Sequence, residues 1–319
     1  MPKKAVVLLN LGGPDSLDAV QPFLYNLFSD PYIISIPFGF LIQKPLARYI
    51  AKRRSPNIRD QYSQIGAKSP IGEWTEKQRT MLENKLRKKD DIDVFVAMRY
   101  WRPFTKEAVD KIRQSDYSKI LLMPLYPHFS RTTTESSFAE WEKEYNGKSA
   151  EILKIDSYYE YPTYVSAINQ RIDEALLKFD DEIRQNVHLL FSAHGTPVSL
   201  VEKGDPYKGH IETTVKAVME LRKFDLEHTL CFQSRVGPEE WLKPATDTVI
   251  RDLAASGKKN LLIIPISFVS DHIETLFELD VTYRGDAEEA GIDKYVVMQG
   301  LNDSELFVQA LFELVSDKL

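Results

Sequence analysis

"LLIIPISFVSDHIETLFELD", residues 261 to 280, changes its period partway along. Leu261 to Phe268 is a continuous apolar run broken only by a proline and a serine, the pattern of a strand buried on both faces in a parallel sheet. From Asp271 the period is helical. Ile273, Leu276, Phe277 and Asp280 recur at helical spacing, while Asp271, Glu274 and Glu278 stand three and four residues apart on the opposite face. A buried strand handing over to a helix is the unit of an α/β fold, and this helix also carries a ridge of acids. Asp271 as N-cap and Glu274 as the third residue of a capping box would account for two of them. Like charges at 4 Å repel by on the order of 4 kcal/mol at an effective dielectric near 20, against roughly 0.3–1 kcal/mol of dipole stabilisation in the first turn. Glu278 lies beyond that turn, so the ridge is either solvated or meets a cation. Spacing leaves both readings open.

The same strand end occurs earlier. "ILLMPLYPHFS" at 120 to 130 resembles "LLIIPISFVSD" at 261 to 271, "VFVAMRYWRP" at 94 to 103 resembles "LCFQSRVGP" at 230 to 238, and "VVLLNLGGP" at 6 to 14 resembles "LLFSAHGTP" at 189 to 197. Helical patterns, "IGEWTEKQRTMLENKLRKK" at 71 to 89 and "KGHIETTVKAVMELRKF" at 208 to 224, separate the first two signatures of each half. Strands alternating with helices give right-handed crossovers and a parallel, doubly wound sheet. The expectation is two similar Rossmann-like α/β domains related by duplication, residues 1–160 and 165–300, joined through "KIDSYYEYPTY" at 154 to 164. The last helix, 303–319, is expected to pack back on the first domain.

The 319 residues, 43% hydrophobic, suffice for two cores. A net charge of -6 with no basic stripe argues against a nucleic-acid partner. The single cysteine, Cys231, excludes an internal disulfide framework or a cysteine-ligated iron-sulfur cluster within one chain. The N-terminus reads as a strand and turn rather than a signal peptide, so a cytoplasmic protein is expected. No stretch reaches the ~18 apolar residues of a membrane span. The nearest, residues 31–54, is interrupted by three prolines and ends in Lys52, Arg53 and Arg54. It reads as an apolar lip that either packs on its own domain or touches a flat apolar ligand, a membrane surface, or both.

Ligands in such folds sit beyond the carboxyl ends of the strands. There stand Leu11, Arg99, Tyr100 and His128 in one half and His194, Arg235, Phe268, His272 and Glu274 in the other. Phosphate-loop, zinc-protease and nucleophile-elbow motifs are absent. His194, set against a Gly-Thr-Pro turn, corresponds to Leu11 in the repeat, so the halves share a backbone and differ in chemistry. Facing the acid ridge, it would supply a base and a borderline metal ligand.

Together "LLFSAHGTP", "QSRVGPEEWL", "PISFVSDHIETLFELD", "LLNLGGPDS", "AKRRSPNIRDQYSQIGAKSPI" and "AMRYWRP" resemble the ferrochelatase family, from about residue 5 to about residue 315. The resemblance implies two Rossmann-like domains of chelatase type with a porphyrin cleft between them, and insertion of Fe2+ into a porphyrin with release of two protons in the last step of haem synthesis. It implies His194 and Glu274 as the catalytic pair and metal contacts, with Glu278 and Asp271 extending the acidic ridge. Leu11, Tyr100, Trp241 and Phe268 would contact the ring. Arg53, Tyr62, Ser69 and Arg99 would engage propionates or hold the pocket, and His272 would join a network near Glu274. No organic cofactor is implied, and the chain stops at Leu319, short of the cysteine-rich cluster-binding extension that some members carry. Asn57 departs from the family, standing where many relatives have a lysine. The long lip resembles members acting on protoporphyrin IX rather than coproporphyrin, with peripheral contact at the inner membrane face. The alternatives are a chelatase for another metal or tetrapyrrole and a non-catalytic porphyrin carrier.

Overall fold

In this computed structural model, residues 3–34, 39–146, 150–234 and 239–319 are described, the side chains of 39–41 excepted. Four strands, β1 (Lys3–Asn10), β2 (Ile92–Met98), β3 (Tyr117–Pro124) and β4 (Glu151–Lys154), form one sheet in the order β2-β1-β3-β4. Four more, β5 (Val187–His194), β6 (His228–Gln233), β7 (Asn260–Pro265) and β8 (Lys294–Val297), form a second in the order β6-β5-β7-β8. Every pairing is parallel. The two central strands of each sheet are buried nearly throughout, because helices cover both faces and unbroken Val, Ile and Leu runs satisfy both.

The chain divides into two compact units, Met1–Ser157 with Leu311–Leu319, and Tyr158–Ala310. Each has its own core. Leu9, Ala97, Ile120 and Leu122 pack with Phe138 and Trp141 in the first, and Leu190, Ile250, Leu261, Ile263 and Leu279 in the second. The C-terminal helix runs Glu305–Lys318, so its residues fall in both units.

Identical strand order bears out the repeat, but one pairing of motifs changes. The Met98 N–H donates to the Pro103 carbonyl (2.7 Å) and the Phe232 N–H to the Pro244 carbonyl (2.9 Å). Both Arg102-Pro103 and Lys243-Pro244 are cis, and each precedes a helix, Thr105–Ile112 or Thr246–Ala255. "WRPFT" therefore corresponds to "LKPAT", not to the "RVGP" that sequence spacing suggested. The second loop is longer and carries an earlier proline, Pro238, close to the spacing of Pro103.

The lip differs as well. Residues 35–38 lie outside the described residues, and beyond them one helix runs Gly39–Gln64 with Pro45 and Pro56 inside it. Of the lip's three prolines, Pro31 lies before this helix, Pro37 outside the described residues, and Pro45, like Pro56, leaves the helix unbroken. Both are exposed, where solvent can make up the hydrogen bond that proline removes. Among the described residues no helix is long and apolar enough to cross a membrane.

Candidate functional site

His194 is the last residue of β5, half-exposed after seven buried positions. The glycine after it has a steric reason. Gly195 donates its N–H to the Gln233 carbonyl (2.8 Å), and a Cβ at 195 would lie 2.6 Å from that same oxygen and 3.3 Å from Trp241 Cε3. Only a bare backbone turns here, and the turn leaves the imidazole accessible.

Glu274 meets it from the segment after β7. Its Oε2 lies 2.8 Å from His194 Nδ1, with 38% of the histidine side chain and 24% of the glutamate side chain exposed. An ionised carboxylate can only accept, so Nδ1 carries a proton, and in the neutral imidazole it is Nε2 that keeps the lone pair. No hydrogen bond among the described residues uses Nε2. Burial alone would lower the His194 pKa, but the charge and hydrogen bond of Glu274, with a smaller contribution from Glu278, raise it above the ordinary value. Burial opposes ionisation of Glu274 too, yet the adjacent imidazole holds its carboxyl well below the usual range. Glu278 behaves oppositely: burial and the neighbouring Glu274 charge raise its pKa.

The helix that carries both acids is not the α-helix the spacing suggested. Glu274–Thr282 is a π-helix, continuing as the α-helix Tyr283–Glu289. Its wider turn is common near functional sites. Ser234, at the end of β6, ties the two acids to the sheet: its N–H donates to Glu278 Oε1 (2.9 Å), and its hydroxyl reaches Glu278 Oε2 and, at 3.4 Å, Glu274 Oε2. It adopts φ +63°, a left-handed conformation uncommon for serine. The Tyr283 hydroxyl completes the shell of Glu278 (3.1 Å).

Asp271 does not join this ridge. Its carboxylate is buried and accepts from Asn302 Nδ2 (2.6 Å), the Thr275 hydroxyl (3.0 Å) and the Gly300 N–H (3.1 Å). It is a strut between the start of the π-helix and residues 300–302, not the expected helix cap or metal contact. Among the described residues no three His, Cys, Asp or Glu side chains gather as a metal cage. His272 is buried, and its Nδ1 donates to the Ser270 carbonyl (3.1 Å). Burial lowers its pKa, so it is neutral at neutral pH. Phe268 stands edge-on to both imidazoles, 4.3 Å from His272 and 6.2 Å from His194 between ring centres.

The ferrochelatase family model matches residues 3–319. A ferrochelatase of Geotalea daltonii is 47% identical over 315 residues, 98% of this chain and 97% of that one. A ferrochelatase of Aquifex aeolicus is 45% identical, covering 99% of this chain and all of its own. The chain belongs to the ferrochelatase family. It is a metal-inserting lyase of haem biosynthesis whose substrates are a porphyrin and ferrous iron. Among solved structures, SirB from Bacillus subtilis with Fe3+ shares the fold, with a TM-score of 0.56 at 12% identity over 99% of this chain and 95% of that one.

Within this ferrochelatase, the remaining predicted positions are described each within its own unit. Trp241 packs over Gly195 and bridges to Pro197. In the first unit Leu11 is half-buried at the end of β1, and Ser69 sits under the Gly-Gly-Pro turn, donating its N–H to the Pro14 carbonyl (2.7 Å). A Cβ on Gly13 would lie 2.5 Å from the Ser69 hydroxyl, which explains the doubled glycine. Tyr62 is buried, while Arg53 and Asn57 are exposed. Arg235 lies outside the described residues.

Arg99 and Tyr100 are tied into one network around Asp30. Asp30, buried and not read from the sequence as functional, accepts from the Tyr100 hydroxyl (2.6 Å), the Ser136 hydroxyl (2.5 Å) and the Tyr32 N–H (2.9 Å). Arg99 Nη2 lies 2.9 Å from it, Nε donates to Ser136 (2.8 Å), and Nη1 faces Glu140 at 3.6 Å. All three guanidinium nitrogens are thus engaged within the unit, and Tyr100 is fully buried. The pair anchors the first unit's strand ends rather than presenting a free cation and ring.

Proposed function

We propose that the macrocycle metallated is protoporphyrin IX, and that His194 is the base that takes its two pyrrole protons in turn while Glu274 and Glu278 form the cation side of the centre. The observation that carries this is the 2.8 Å contact between His194 Nδ1 and Glu274 Oε2. Each pyrrole N–H bond leaves its electron pair on nitrogen for the metal, and the proton passes to Nε2, which releases the first to solvent before it takes the second. The imidazolium so formed is balanced by the Glu274 carboxylate. Two protons leave for each Fe2+ that enters, so charge balances. One lone pair on Nε2 cannot hold a proton and a metal at once, which favours proton transfer there and leaves the carboxylates, harder donors, to the ferrous ion.

Phe268 and Trp241 in the second unit, and Leu11 in the first, are apolar side chains of the kind a flat ring recruits, with His272 packed against Phe268. Ser69, Tyr62 and Arg53 form the polar set on the lip side, Arg53 being the exposed cation among them. The chemistry needs no organic cofactor and no iron-sulfur cluster. A cytoplasmic protein touching the inner membrane face agrees with the helix Gly39–Gln64, where exposed Ile42 and Tyr49 stand among exposed Lys44, Arg48 and Lys52.

The test is anaerobic Fe2+ insertion into protoporphyrin IX, followed in the visible spectrum, with His194→Ala and Glu274→Gln in parallel. Turnover reduced on the order of 10²–10³-fold or more in both, while porphyrin still quenches protein fluorescence, is the expected result. Turnover retained by His194→Ala would remove the base assignment, and insertion only into coproporphyrin would remove the substrate assignment.

A further inference from the structure

The repeat allows His194 to be compared with its own counterpart. Leu9 faces Pro124 and Ser192 faces Pro265, while Asn10 faces Met98 and Ala193 faces Phe232. Leu11 therefore corresponds to His194 and Tyr100 to Ser234. In the first unit, the Leu11 carbonyl accepts from the Tyr100 N–H (2.9 Å), and the Leu11 N–H donates to Asn10 Oδ1 (2.8 Å). Neighbouring chain satisfies both main-chain groups.

Neither arrangement survives in the second unit. Ser234, with its positive φ, directs its N–H to Glu278, so the His194 carbonyl loses the main-chain donor that Leu11 has. Ala193, in the place of Asn10, has no side-chain acceptor. Two side chains from other elements take over. The Ser267 hydroxyl, just past β7, accepts from the His194 N–H (2.9 Å), and the Tyr207 hydroxyl donates to the His194 carbonyl (3.0 Å). Tyr207 is itself fixed as the first residue of the helix Tyr207–Leu221, buried, with its N–H on Asp205 Oδ1 (2.9 Å).

We propose that Tyr207 and Ser267 are positioning residues for metallation, clamping the main chain of His194 on both sides so that its ring stays in register with Glu274. The proposal rests on the reading of His194 as the base. A peptide free to tilt on either side would swing the ring, and a misplacement of about 1 Å can cost on the order of a hundredfold in rate.

Tyr207→Phe keeps the ring and removes the hydroxyl that donates to the His194 carbonyl; Ser267→Ala removes the hydroxyl that accepts from the His194 N–H and also touches the Tyr207 hydroxyl. Thr214→Val is the control, deleting a hydroxyl-to-carbonyl bond on the same helix (Thr214 Oγ1 to the Tyr159 carbonyl, 2.7 Å) away from His194. Rates are expressed per porphyrin-binding site, counted by fluorescence titration, so that loss of folded protein is not scored as loss of catalysis. The expected result is a kcat lower by about fivefold to tenfold in both variants, the net worth of about one hydrogen bond, with porphyrin affinity and the control unchanged. A per-site kcat equal to the control's in either variant, or a fall that the control shares, would overturn the proposal. His194→Ala in the same assay separates the two ideas. If it still turns over, the base assignment fails; if it is inactive while Tyr207→Phe and Ser267→Ala match the control, only the clamp fails.

Discussion

At the scale of single residues, the His194 and Glu274 pair sets a sign for pH dependence. The raised His194 pKa means that the neutral, proton-accepting form is lost as pH falls through a value above that of an ordinary histidine, while Glu274, held low, stays ionised. Activity is therefore expected to fall on the acid side. In Glu274→Gln the support for the imidazolium disappears, so the acid limb should move to lower pH while kcat drops on the order of 10²–10³-fold. A kcat–pH profile of both proteins checks it; an unmoved limb would mean that another group controls the rate. Asp30 makes a second case. Its removal in Asp30→Ala leaves Arg99 without its nearest countercharge in a buried network, expected to cost about 3–5 kcal/mol in urea unfolding. Residues of this kind are poorly legible in sequence. His194 stood out because a glycine turn and a buried strand framed it, whereas Asp30, Tyr207 and Ser234 look like an ordinary acid, an aromatic and a loop serine until three-dimensional partners are known.

At the scale of elements, six of the strands were legible because each ends at a glycine or proline turn after an apolar run. β4 and β8 were not, being four-residue strands at sheet edges without such punctuation. The π-helix was also hidden: over nine residues the apolar positions do not distinguish its period from that of an α-helix, and it begins at Glu274, so spacing alone puts Asp271 on a ridge that starts after it. Its role as a strut predicts a separable phenotype. Asp271→Ala strands several buried donors, which should destabilise the fold by about 3 kcal/mol in chemical denaturation. Iron insertion per folded molecule should remain unchanged, and a selective loss of it at full stability would restore Asp271 to the metal centre.

At the scale of the whole molecule, two α/β units with separate cores agree with the duplication read from strand ends. The free thiol reports on one of them. Cys231 is fully buried in the second unit and burial pushes its pKa up to about 12. Ellman's reagent should therefore react with the native protein only as fast as that unit opens, and at once in denaturant; fast native labelling would show that the second core opens readily. The left-handed Ser234 has a consequence for grafting as well. In the second unit its amide is turned toward an acid and the loop closure of the first unit is absent, so a histidine written into position 11 would sit on a backbone sealed by Tyr100 and Asn10. Copying the residue would not copy the activity; the two halves differ in what their peptide groups hold as well as in what their side chains do.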